Sequence, residues 1–282
     1  MWETLPKSLS TFSGDIDHLF WGVTYLMGFS YVVSMLVIIY LLLAFRRKEG
    51  VKAQYIAGES GKQLMLIYIP LALFVCFDMY IDTTTAEVWH KAKMELPAAD
   101  VKVRAVAQQW AWTFVQEGNI ETINELHVPA GQTVHVAMES SDTLHSLSIP
   151  IFRFKQDVIP GRIITGWFKS KSFAEIKAAK QSMIDRYNNR PADDKFAREL
   201  PTDDAESASF DIQCAEMCGV GHGIMAARIV VHSEKGYAAW KASEKAMIDE
   251  MQDDSADAEE EAAPAEEAAP AEETHGAHGT EG

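Results

Sequence analysis

Two apolar stretches open the chain, and an alternating pattern follows them. Residues 19–45 carry no charged side chain over 27 positions. At ~1.5 Å of rise per residue, a helix of that length exceeds the ~30 Å hydrocarbon core of a bilayer. Residues 64–81 form a shorter stretch that contains Pro70 and Asp78, with Asp82 just beyond it. About 18 apolar residues sit at the short end of the spanning range, where a buried core helix gives the same pattern. Its place directly after the first span favours a transmembrane hairpin over residues 19–82. A cleaved signal peptide would have a basic start and an apolar run of roughly 7–15 residues. The first stretch instead follows Glu3, Asp15 and Asp17 and runs much further, so both helices are expected to remain in the mature chain.

The connecting loop, residues 46–63, holds Arg46, Arg47, Lys48, Lys52 and Lys62, whereas residues 1–18 hold only Lys7 as a basic residue. Basic loops stay on the cytoplasmic side. The N-terminal segment 1–18 and everything after residue 82 are therefore expected outside.

From residue 101 the period changes from helical to alternating. Val101, Val103 and Ala105, then Val134, Val136 and Met138 against Thr133, His135 and Ala137, read as half-buried strands. Trp110, Trp112 and Phe114 alternate in the same way. Turn signals stand at Pro129-Ala130-Gly131 and Pro160-Gly161, and Ile229, Val230 and Val231 read as a closing strand. Short strands at this spacing predict an all-β sandwich or barrel over residues 83–233. Within it, residues 168–206 break the pattern. Phe173, Ile176, Met183, Ile184 and Tyr187 recur at helical spacing until Asn188, Asn189 and Pro191 end the run, so an amphipathic helix is inserted there. A further helix is predicted over residues 234–251.

The net charge of −16 is unevenly placed. Eleven of the acidic residues fall in 253–282, which has no Lys or Arg. The Ala-Pro-Glu repetition there cannot bury apolar surface, so residues 252–282 read as a disordered acidic tail. The tail is either a solvated appendage or an electrostatic lure for a basic partner.

Of three cysteines, Cys76 lies in the second span, leaving Cys214 and Cys218 outside with His222 and Met225 close behind. A disulfide is the ordinary fate of two neighbouring cysteines on an oxidising face, but it leaves His222 and Met225 unexplained. Structural zinc takes Cys and His at short spacings and has little use for a thioether. Thiolate, thioether and imidazole together select copper. A mononuclear blue-copper site needs one cysteine, so the second thiolate points to two bridged copper ions. Each would be completed by one histidine and one weaker ligand, which calls for a second histidine from elsewhere. His145, ahead of an alternating segment, is the leading candidate. The outer part shows no nucleophile–base set, phosphate loop or nucleic-acid signature.

At this point the run Cys214-x-Glu216-x-Cys218-Gly219-x-x-His222-x-x-Met225 meets three others: Asp142-x-x-His145-Ser146, Asp157-Val158-Ile159-Pro160-Gly161-Arg162 and Gln109-Trp110-Ala111-Trp112. Together they resemble subunit II of cytochrome c oxidase, over the hairpin and most of residues 101–232. The resemblance implies a cupredoxin-like barrel with a binuclear CuA centre. In it Cys214 and Cys218 bridge both coppers, His145 and His222 bind one each, and Met225 and the Glu216 carbonyl supply the weaker ligands. It further implies that the Glu216 side chain faces a magnesium or manganese ion shared with subunit I, and that Trp110 is the port for electrons from cytochrome c. The haem of subunit I would then reduce oxygen to water, coupled to proton translocation. Implied partners are subunit I, other oxidase subunits, cytochrome c and the lipid of a bacterial plasma membrane. The copper domain and both termini would lie on the periplasmic face.

The chain departs from that family in three places. Ala111 stands where more aromatics are usual. Gln63, seven residues before Pro70, takes the place of a proton-path glutamate, so either that role is absent or Glu59 fills it. The helical insertion is extra, and is either self-packed or a docking element for another respiratory complex. The competing readings are the CuA subunit of a nitric oxide reductase and the copper-free structural subunit of a quinol oxidase.

Overall fold

The computed structural model describes residues 7–52, 55, 57–189 and 203–262. Two helices come first, α1 (Ser13–Ala44) and α2 (Gly61–Trp89), both long and apolar enough to cross a membrane. Most of their apolar side chains are exposed within the chain, as lipid-facing or subunit-facing residues are. Ser60 and Gln63 close a reciprocal cap at the start of α2, so the Gln63 side chain is engaged with the helix terminus. The second helix runs past residue 82 to Trp89 and ends in a single π turn, His90–Met94. Its continuation follows from the sequence there, which has no Gly or Pro before Pro97, and from the Thr83 and Thr84 hydroxyls, which each donate to a carbonyl one turn back.

The outer part packs two five-stranded sheets face to face. One has the order β3 (Ile120–Ile123), β2 (Ala111–Gln116), β1 (Val101–Gln108), β5 (Thr133–Ser140), β8 (Ile164–Lys169). The other has the order β4 (Glu125–Pro129), β10 (Ala226–His232), β9 (Ser207–Cys214), β6 (His145–Ile149), β7 (Phe154–Val158). Strand β1 pairs parallel with β5, and β10 parallel with β4; the other neighbours are antiparallel. The alternation read from the sequence is the alternation of burial. Val101, Val103 and Ala105 point inward with Val134, Val136 and Met138, and meet Leu147, Ile149, Ile212 and Ile229 of the facing sheet. This is the cupredoxin-like β domain behind a helical hairpin.

The N-terminal segment joins the hairpin to this domain. Leu9 and Thr11 donate backbone hydrogen bonds to Ile151 and Lys169, and Lys171 returns one to Leu9. Leu9, Ser10 and Phe12 are buried. Arg153 Nε donates to Asp17 Oδ1 at 2.6 Å, fixing the first turns of α1 against the β6–β7 connection.

The inserted helix is α3 (Phe173–Asn188), capped reciprocally by Ser172 and Glu175. It lies on β9 through Ile176, Ala179 and Lys180. The buried Lys180 ammonium is matched on both sides, donating to Ser209 O at 2.6 Å and pairing with Asp203 at 3.2 Å. An ion buried this deeply is tolerated only with such partners. Residues 190–202 of the insertion lie outside the described residues.

The last helix, α4 (Glu234–Ala262), starts where predicted and continues past 251, so the first part of the stretch read as disordered is helical. Ala and Glu are strong helix formers. A composition too polar to build a core can still extend a helix whose start is docked. Residues 263–282 lie outside the described residues.

That docking is an aromatic clasp. Trp240 stacks on His127 with ring centroids 4.3 Å apart and planes 5° from parallel. His127 Nδ1 lies 2.9 Å from His232 Nε2, one ring donating to the other. Burial pushes His127 down to about 4. Burial, then the adjacent His127, pushes His232 to about 4 against the pull of Asp204. Glu125, 3.5 Å from His127 Nε2, also faces the pair, and Glu206 lines the same cavity. Both rings are neutral in the fold and take up protons more readily when released. Their contribution to stability is thus complete above pH ~6.5 and is lost as pH falls toward about 4. We expect the thermal midpoint of the outer domain, followed by circular dichroism, to fall across that window, and Trp240 emission to shift to the red. In a His127→Phe, His232→Phe variant, a pH dependence as steep as the parent's would contradict this account.

Candidate metal centre

The centre lies where β6, β9 and the start of β10 converge. Leu147 of β6 sits opposite Cys214 of β9. Residues two apart on a strand share a face, so His145 comes to the same side as the Cys214 sulfur. After Cys214 the chain leaves the sheet, loops through Cys218, and returns through a 3₁₀ turn at His222–Ile224. Cys214 N donates to Met225 O at 3.1 Å, closing the neck of the loop and bringing Met225 back beside the sulfurs. The loop turns at Gly219, whose φ of +113° is strained for any residue with a side chain.

The six residues singled out in the sequence lie together. Cys214 Sγ and Cys218 Sγ are 3.8 Å apart, too far for a disulfide bond. His145 Nδ1 is 3.9 Å from Cys214 Sγ, and His222 Nδ1 is 3.6 Å from Cys218 Sγ. The Glu216 carbonyl oxygen is 3.3 Å from Cys214 Sγ, and Met225 Sδ is 3.7 Å from Cys218 Sγ. The donor atoms of His145, Cys214 and Cys218 lie within 4.8 Å of one another and all three residues are buried; His222 stands outside that group. Each sulfur thus has its own imidazole and its own weaker donor. Burial, then the Cys214 sulfur, pushes the Cys218 thiol up to about 11, and a cation bound here would supply the positive charge needed to hold both sulfurs as thiolates.

His145 is fixed from behind. Its Nε2 lies 2.8 Å from Asp142 Oδ1, which leaves Nδ1 free to face the sulfurs. Burial pushes the Asp142 carboxyl up, but hydrogen bonds from His145 and from the backbone of Gln109 and Thr143 outweigh it and hold it below the ordinary carboxylate range. The buried Trp112 ring meets the His145 ring edge-on at 6.1 Å. Sequence reasoning gave Asp142 and Trp112 no role at the site. The spacing Asp142-x-x-His145 was the one signal that could have assigned the first.

Trp110 is placed differently from its sequence pattern. It lies in the turn between β1 and β2, outside the strand alternation, whereas Trp112 and Phe114 are buried strand residues. The Trp110 ring is 40% exposed, and its Nε1 donates to the Cys218 carbonyl at 3.3 Å. A Cβ on Gly221 would stand 2.3 Å from that ring, so the glycine permits the contact.

Residues 114–174 match a family model described as cytochrome c oxidase subunit II, periplasmic domain. The chain is 25% identical over 275 residues to the alternative cytochrome c oxidase subunit 2 of Bradyrhizobium diazoefficiens, covering 86% of this chain and 84% of that protein. It is 22% identical to cytochrome c oxidase subunit 2 of Cereibacter sphaeroides, covering 73% and 68%. Among solved structures it is similar to the periplasmic domain of subunit II of cytochrome oxidase from Bradyrhizobium japonicum. That likeness has a TM-score of 0.40 at 25% identity and covers 54% of this chain and 99% of that one.

Partners that orient a metal-bound imidazole typically carry ten- to a hundredfold in metal affinity. Asp142→Ala is expected to weaken binding of a soft cation by about that factor with the fold retained, as read by competition with a chelator. An affinity within about twofold of the parent would show that Asp142 has no hold on His145 that matters to binding.

Proposed function

We propose that this chain, which resembles cytochrome c oxidase subunit II, is the electron-accepting subunit of a haem-copper oxidase. In this reading it takes electrons from a cytochrome c on the outer face of a bacterial plasma membrane. It delivers them to haem in subunit I, where oxygen is reduced to water with proton translocation. The observation that carries the reading is the pair of sulfurs 3.8 Å apart, each with its own imidazole nitrogen.

The donor set fits a copper pair better than one zinc ion. A single tetrahedral ion needs both histidines and both cysteines in one shell, yet His222 stands outside the group formed by the other three. Two sulfurs, two imidazoles, a thioether and a carbonyl are the soft and borderline donors that copper takes. Cys214 and Cys218 would bridge, His145 and Glu216 O would serve one ion, and His222 and Met225 the other. A copper pair held this way supplies one-electron transfer with little change of geometry.

The chain's own residues do the rest. Met225, Cys214 and Cys218 are buried, which keeps water from the sulfurs. Asp142 holds the tautomer of His145 that turns Nδ1 inward. Trp110 offers an aromatic surface to a docked donor and is hydrogen-bonded to the carbonyl of a ligand residue. The half-buried Glu216 side chain is a hard oxygen ligand suited to magnesium or manganese at the boundary with subunit I. The hairpin anchors the domain, with the basic loop inside and both termini outside.

Two expectations follow for the purified oxidase. Electron paramagnetic resonance of the oxidised form should show a hyperfine pattern too rich for one copper nucleus, and Cys214→Ser or Cys218→Ser should abolish it. One copper or zinc per chain, or a Cys214–Cys218 disulfide, would end the electron-relay reading. Trp110→Ala should slow electron uptake from cytochrome c at least tenfold while copper content stays at the parental level. Uptake at the parental rate would remove Trp110 as the port.

A further inference from the structure

We propose that Gln109 is a positioning residue of the copper centre, a brace that fixes the Cys218 loop against the His145 segment. This rests on the copper reading above and extends it to a residue that touches no donor atom.

Gln109 lies in the turn between β1 and β2, on the sheet opposite the one that carries the sulfurs and His145. It makes two bonds in two directions. Its backbone N–H donates to Asp142 Oδ2 at 2.7 Å, and the other oxygen of that carboxylate lies 2.8 Å from His145 Nε2. Its side-chain amide donates to the Cys218 carbonyl at 2.8 Å. One residue thus connects the two segments that supply the centre, which are far apart in sequence.

The loop needs such a contact. Cys214 is the last residue of β9, and its sulfur is placed by the ladder. Cys218 follows after the strand has ended, between the exposed Met217 and Val220. Its carbonyl is held by the Gln109 amide and more loosely, at 3.3 Å, by Trp110 Nε1. The loop is shaped to admit the amide. A Cβ on Gly219 would come within 2.9 Å of Gln109 Nε2, and at a φ of +113° a side chain there is strained in any case. A site that exchanges electrons quickly needs ligands whose positions are set before the metal binds and do not move when its charge changes, and outer hydrogen bonds provide this.

The test uses the purified oxidase carrying Gln109→Met, which keeps the length of the side chain and removes the donor, and Gln109→Glu, which sets an acceptor against the Cys218 carbonyl. Both should bind two coppers per chain at saturation. Their copper affinity should be about two- to tenfold lower, the factor that a net hydrogen bond of ordinary strength commands. Their electron paramagnetic resonance hyperfine pattern should differ from the parent's, with the larger change in Gln109→Glu. Circular dichroism melting of the apo chain should stay at the parental midpoint, which separates positioning from a general role in folding. Parental affinity and hyperfine pattern in Gln109→Met would overturn the brace, and Gln109→Glu decides the point if the methionine variant fails to assemble. A parent enzyme with one copper or none would instead overturn the copper reading itself.

Discussion

The centre depends on the short antiparallel pairing of β6 with β9. Only Leu147 with Cys214 and Ser148 with Gln213 are in register, and Ala215 N extends the contact to Ser146 O. A shift of one residue would turn either the Cys214 sulfur or His145 to the other face of the sheet, because side chains alternate along a strand. The facing sheet enforces the register. Leu147, Ile149 and Ile212 are fully buried against it and would be exposed by the same slip. The hydrophobic core thus places the first sulfur and the first imidazole, and the metal need not organise them.

The rest of the donor set is placed by other means. Met225 is fixed by the backbone neck at Cys214, and His222 by the tight turn that follows Gly219 and Gly221. Cys218 is held from outside its own loop by the β1–β2 turn. The centre therefore draws on both sheets, one supplying donor atoms and the other the groups that hold them. The same turn carries the exposed Trp110 ring, so the surface where an electron donor would rest and the brace of the ligand loop are adjacent residues.

The first added helix packs onto the sheet that carries the sulfurs, and the second lies across the edges of both sheets, against β3, β4 and β10. The first, α3, uses an apolar stripe and a buried, doubly matched lysine, and α4 uses stacked rings and a neutral histidine pair. These attachments differ physically. The lysine is satisfied in place by its partners, whereas burial holds both rings of the histidine pair well below the ordinary imidazole range, which makes the seat of α4 the acid-sensitive one. Neither attachment involves a residue of the candidate metal centre.

Much of this was legible in the chain itself. The two apolar helices, the alternation of β1 and β5, the helix at 173–188 and the donor types of the centre follow from local periodicity and from the soft character of the donors. The long-range pairing of residue 145 with residues 214–225 is set by β6–β9 register, which no local pattern encodes; the sequence reached His145 from the need for a second imidazole and then from the resemblance. Several features were decided by tertiary structure alone: the turn position of Trp110, the stitching of residues 9–12 to the β domain, the roles of Asp142 and Gln109, and the clasp that seats α4. A hydrogen bond or ring contact between side chains of separate segments leaves no periodic trace in either segment. Donor identity is a property of composition, but the distance between donors is a property of the packed core.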